Sequence, residues 1–188
     1  GQYLPDGRIN IWTSTQSPFA VRFLLGVSLG VPVYKINVNV PYVGGGFGGK
    51  AGINFEPLVV LLSKKAGGRP VKLELTREEE FTTAPVRQGM YARIKTGAKT
   101  DGKLTAHEID FIWDAGAYAD YGVNVGRAAG YACTGPYEVP NVKCDSLTVY
   151  TNHPYGGAFR GFGHFELLWV VERQMDMVAR RVGMDPVE

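Results

Sequence analysis

The sequence is short of cysteine, of excess charge and of long apolar runs, and each shortage closes off a class of protein. Two cysteines in 188 residues, Cys133 and Cys144, provide neither a disulfide framework nor the closely spaced thiol sets that ligate zinc or iron–sulfur clusters. We expect two reduced, interior thiols. The formal net charge is only +2 and the lysines and arginines are scattered, so no basic footprint marks a nucleic acid or an anionic membrane as partner. No apolar stretch approaches the roughly 20 residues needed to span a bilayer, and the opening residues lack the basic-then-apolar order of a signal peptide. The expectation is a soluble, cytoplasmic protein.

What is present is a core-forming composition, 45% hydrophobic and 12% aromatic, with 25 glycines. At this length one domain over residues 1–188 is expected. Alternation at 8–14 after a Pro-Asp-Gly turn reads as a strand. Ser17 and Pro18 open a helix that carries Phe19, Phe23 and Val27 at helical spacing and stops at Gly30. Residues 33–40 read as a half-buried strand, 54–66 as a buried helix with Pro57 in its first turn, and 71–75 as another strand. Thr76 and Glu79 form a capping box. Residues 90–98 and 104–113 form a hairpin around Asp101-Gly102, 147–151 a strand, and 165–182 a helix ended by Gly183. The fold class is therefore α+β, a mixed β-sheet with packed helices. Asp185-Pro186 starts a helix that the sequence does not continue, and no methionine opens the chain, so a truncated protein is expected.

The glycines bunch in two places. Gly44-Gly45-Gly46-Phe47-Gly48-Gly49-Lys50 lies between a strand and a helix, where exposed N–H groups and the helix dipole favour a phosphate or cofactor. It is not a P-loop, because Ala51 follows the lysine, nor a dinucleotide fingerprint, because no acidic residue ends the next strand. Phe47 among glycines reads as a placed wall. The second run, Gly156-Gly157-Ala158-Phe159-Arg160-Gly161-Phe162-Gly163, precedes the long last helix. Arg160 offers a fork of donors for an anion and Phe162 a face for a planar ring.

Together with Ser14-Thr15-Gln16-Ser17-Pro18, these two runs stand in the order and at the intervals of the molybdenum subunits of the xanthine dehydrogenase and aldehyde oxidase family. The chain resembles that family from about residue 7 to 188. The resemblance implies a molybdenum-cofactor-binding domain, the N-terminal part of the molybdopterin-binding region, in which Gln16 hydrogen-bonds to an oxo or sulfido ligand of molybdenum. It implies that Gly46, Phe47 and Gly48 lie against the cofactor, that Arg160 approaches it, and that Phe162 stacks on a planar substrate. The resemblance further matches Arg127 to a family arginine that touches substrate. No protein side chain is a metal ligand. The pterin is a mono- or dinucleotide form, and iron–sulfur and FAD groups are expected on other segments or subunits.

Ala51 stands where xanthine-oxidising members carry glutamate, which argues against purines and leaves aldehydes, N-heterocycles and other aromatic compounds. The family's general-base glutamate has no counterpart here. Glu78, Glu79 and Glu80 read as a solvated turn, and His164 as a helix residue. The expectation is an oxidoreductase fragment, incomplete alone, that needs the rest of the molybdenum subunit. The competing reading is a non-catalytic anion- or nucleotide-binding module.

Overall fold

The computed structural model describes residues 1–187. Its first strand, β1 (Gln2–Tyr3), runs antiparallel to β2 (Ile9–Trp12), and β2 pairs in parallel with β3 (Ile36–Asn39). A parallel pair needs a crossover, here α1 (Pro18–Leu29), which starts after Ser17 and ends at a left-handed Gly30. Next come α2 (Glu56–Lys65), with Pro57 in its first turn, and the short α3 (Arg77–Thr83), opened by the Thr76–Glu79 capping box. Ile9, Ile11, Val21, Leu25, Ile36 and Val60 close on one another as a core.

A second three-stranded sheet follows. Strands β4 (Met90–Ala98) and β5 (Leu104–Asp114) form the expected hairpin, and β6 (Val142–Val149) lies parallel to β5. That parallel pair again needs a crossover, and it contains α4 (Gly122–Tyr131), a helix the sequence did not announce. Gly122, Gly126 and Gly130 each cost helix propensity, yet at spacing four they line one face. A Cβ on Gly126 would stand 2.9 Å from Thr148 Oγ1 and 3.1 Å from the Trp113 ring. Glycine therefore lets the helix lie close on the sheet. Trp113 Nε1 donates to Ser146 Oγ, which donates on to the carbonyl of Gly126. The last helix, α5 (His164–Val182), adds Leu167 and Val171 to a core of Ile109, Phe111, Trp113, Val125, Ala129 and Cys133.

The contacts divide the chain into two compact units, Gly1–Ala84 and Pro85–Glu188. Several expectations change. The apolar stripe of α1 faces outward: Phe19 is 80% exposed, with Phe23 and Val27 also exposed, while Val21 and Leu25 face the core. On α2 only Val60 and Ser63 are buried, so it is not the all-round buried helix expected. Residues 33–35 form a 3-10 turn ahead of β3. Residues 71–75 join no sheet: Val71 exchanges two backbone bonds with Gly1, and the next side chains, Lys72 and Glu74, pair with each other instead. Strand β6 begins five residues earlier than the expected 147.

Two outcomes follow from this packing. Leu25→Ala should cost about 2–5 kcal/mol in urea unfolding of the full chain, and Phe19→Ser within about 0.5 kcal/mol; equal losses would contradict the orientation of α1. His107, buried in β5, shares its Nδ1 with Thr96 Oγ1 at 3.0 Å, and burial holds its imidazole below the ordinary 6.5. The unfolded chain therefore takes up this proton at higher pH than the folded chain does. Stability is complete above about pH 6.5 and declines as pH falls below that value toward the folded pKa. The urea midpoint should drop on acidification less in His107→Gln than in wild type.

Candidate functional site

The segment after β2 is stitched to the glycine-rich loop. The buried Thr15 donates from Oγ1 to the Lys50 carbonyl at 3.1 Å and accepts the Ser17 N–H at 2.9 Å, and the Gln16 N–H donates to the same Lys50 carbonyl. The Gly48 N–H in turn donates to Gln16 Oε1 at 2.9 Å. Because the oxygen is engaged, the amide's orientation is set, and Nε2 keeps two hydrogens for another acceptor. Gly46 makes the arrangement possible. A Cβ there would stand 2.3 Å from Gln16 Oε1, so the requirement is for space. Two of the motifs read from sequence thus meet in the first unit.

Phe47 holds a left-handed backbone, φ 50, with its side chain 65% exposed. A bulky residue adopts that conformation only when its surroundings enforce it. Its ring lies across Gly45, where a Cβ would come within 2.7 Å of the ring. Lys50 turns back, donating from Nζ to the Val43 carbonyl at 2.5 Å. The loop does not run straight into a helix, as we had expected: α2 begins only at Glu56. The Glu56 carboxylate already accepts from Thr13 Oγ1 and from the Asn54 N–H. A helix terminus faced by its own carboxylate is a poor anion site, which removes the helix-dipole support for the phosphate-binding alternative.

In the second unit Phe162 is also left-handed, φ 47, and its ring meets Tyr121 edge-on at 6.0 Å. Gly163 lies on α4, where a Cβ would stand 2.8 Å from the Val125 carbonyl and 3.2 Å from Ala129. The side chain of Arg160 is exposed. Its carbonyl accepts from Arg87, a residue the sequence reading passed over. Arg127 is not brought to Arg160 and Phe162. Val125 and Ala129 face that loop, whereas Arg127 lines a hollow of about 490 Å³ with Tyr131, Cys144, Ser146 and Thr148.

His164 opens α5 and bonds through Nδ1 to the Gly161 carbonyl, as a helix residue would. His153 pairs with Asp114, whose carboxylate also accepts from Thr151 and the Gly116 N–H. Burial opposes ionisation of Asp114, but these bonds outweigh it and hold the carboxyl below its usual range. Glu79 is spent on the capping box and Glu80 on Arg77. The Cys144 thiol is pushed up to about 12, by burial first and then by the neighbouring Cys133, so it stays protonated and is no nucleophile.

The family described as "Molybdopterin cofactor-binding domain" matches residues 2–188. The chain belongs to this family. This molybdopterin-binding domain is 40% identical over 186 residues to the nicotinate dehydrogenase large molybdopterin subunit of Eubacterium barkeri, covering 99% of the chain and 44% of that protein. It is 37% identical over 183 residues to the xanthine dehydrogenase molybdenum-binding subunit of Escherichia coli, covering 97% of the chain and 24% of that protein. Among solved structures it superposes on the aldehyde oxidoreductase of Desulfovibrio gigas with a TM-score of 0.89 at 31% identity, covering 98% of this chain and 20% of that one. It matches quinoline 2-oxidoreductase of Pseudomonas putida at 0.87 and 33%, covering 98% and 24%. The domain thus spans less than half the length of these relatives.

The residues present fit a molybdopterin group. Gln16 Nε2 is an uncommitted neutral donor beside a loop whose Gly44 has open space where a Cβ would be. If Gly46 is glycine because of Gln16, Gly46→Ala should displace the amide and expose the Gly48 N–H, raising its hydrogen-exchange rate roughly fivefold for a bond worth about 1 kcal/mol. Gly52→Ala, where a Cβ meets nothing within 4 Å, should leave that rate unchanged.

Proposed function

We propose that the complete protein is a molybdenum hydroxylase, an oxidoreductase that takes the incorporated oxygen from water, and that this chain supplies part of its cofactor and substrate surroundings. The carrying observation is the Gln16 amide, fixed by the Gly48 N–H through its oxygen and seated over a residue with no Cβ. When bound, molybdopterin supplies the metal centre that accepts the substrate's electrons. Gln16 then donates from Nε2 to the metal's ligands without adding charge, and Gly46, Phe47 and Gly48 bound the cofactor. Arg160 serves the cofactor and Phe162 the planar face of the substrate. Arg127 meets substrate from the hollow it lines with Tyr131 and Thr148.

The substrate we favour is an aldehyde or planar N-heterocycle. Relatives named for nicotinate and quinoline support this, and Ala51 offers no carboxylate to a purine. General-base chemistry needs a carboxylate within hydrogen-bond reach of the proton, and on α3 Glu79 serves the capping box, Glu80 pairs with Arg77, and Glu78 is exposed beside them. The base therefore lies in the rest of the molybdenum subunit, and the chain alone does not turn over. Electrons leave through iron–sulfur and flavin groups on other segments or subunits. Among the described residues no helix is long and apolar enough to cross a membrane, and free thiols at Cys133 and Cys144 accord with the reducing cytoplasm.

The test is the purified complete subunit. It should contain molybdenum by elemental analysis and release a fluorescent pterin on denaturation, and a preparation with neither refutes the reading. Gln16→Ala should lower turnover about 10- to 100-fold while molybdenum content falls far less, the loss expected for one hydrogen bond to a charged group.

A further inference from the structure

The loop that carries Arg160 and Phe162 is held by several neighbours, and one residue outside it meets it through a hydrogen bond, an ion pair and two ring contacts. Arg87, between α3 and β4, donates from Nη2 to the Arg160 carbonyl at 2.7 Å. Its Nη1 stands 3.3 Å from Glu166 Oε1, on a side chain only 14% exposed. The guanidinium carbon lies 5.8 Å from the centroid of Phe159 and 5.1 Å from that of Phe165. Phe165 covers Gly161, where a Cβ would come within 2.1 Å of the ring. The residues flanking Arg87 hold the other end of the loop. Val86 exchanges backbone bonds with Tyr155 and Gly157, and Gln88 fills the space a Cβ on Gly156 would need.

We propose that Arg87 is a positioning residue for catalysis: it fixes the loop so that Arg160 and Phe162 point where their roles require. This rests on the reading of those two residues given above. Phe162 sits at φ 47, a conformation that persists only where surrounding bonds over-determine it, and Arg87 contributes three kinds of them. Its planar fork donates to a carbonyl and a carboxylate while its faces meet two aromatic rings. Lysine, a compact point charge, cannot reproduce this set of contacts. Arg87 acts through the loop and touches no reacting group.

The test uses the complete molybdenum subunit carrying Arg87→Met, which keeps an unbranched apolar stem, or Arg87→Lys, which keeps the charge. Backbone amides of residues 156–163 should exchange about tenfold faster in both variants while those of the β4–β5 hairpin do not change. KM for an aromatic aldehyde should rise about tenfold relative to an aliphatic one, with kcat moving less. Glu166→Gln, which leaves Arg87 in place, should shift both readouts in the same direction by a smaller factor, and it carries the test should both Arg87 variants fail to fold. An unchanged exchange rate in the loop, an equal rise in KM for both aldehydes, or wild-type values in Arg87→Lys would each overturn the proposal. A subunit without molybdenum would defeat the functional reading instead, while the exchange rates would still judge the clamp.

Discussion

Gln16 can lie across the first glycine-rich loop only because residue 46 has no Cβ, and that exclusion of one carbon atom recurs wherever this chain builds something unusual. Gly126 lets α4 approach the sheet beside Trp113, and Gly161 admits the ring of Phe165. At each place a methyl group would force backbone or a packed side chain to move. At these three positions glycine marks a close approach, to a polar side chain, a sheet and a ring, while others such as Gly30 and Gly183 serve left-handed helix ends.

Two phenylalanines, Phe47 and Phe162, hold left-handed backbones inside these glycine-rich stretches. Such conformations are uncommon for bulky residues and cluster at functional sites. Each is kept in place differently. Phe47 lies over its own neighbour Gly45, whereas Phe162 rests on Tyr121 while the loop around it is gripped by Arg87 and Gly163 packs on α4. The first arrangement is local in sequence, whereas the second depends on residues distant in the chain, Tyr121, α4 and, farthest of all, Arg87.

That difference explains what could be read from the sequence. Short-range signals were legible: Ser17-Pro18 and Gly30 bounded α1, Thr76 and Glu79 formed their capping box, Asp101-Gly102 turned the hairpin, and the three linked motifs identified the family. What failed depended on tertiary context. α4 carries three glycines that argue against a helix until the sheet beneath it is known. The stripe Phe19, Phe23 and Val27 has helical spacing, but periodicity does not say which of two apolar faces turns inward, and Val21 with Leu25 took the core. Residues 71–75 had strand composition without a sheet partner. Arg87 carried no local signal, since its partners are a carbonyl, two rings and a carboxylate far along the chain.

The burial of Trp113 against Ser146 gives the chain an internal optical probe. Trp12 and Trp169 are exposed and emit as solvated indoles, whereas Trp113 is fully enclosed in the second unit with its ring nitrogen bonded to a hydroxyl. Quenchers dissolved in water reach the first two and not the third. The blue-shifted, unquenched part of the emission therefore reports on the second unit alone, and its loss marks the moment when α4 lifts from the strands beneath it.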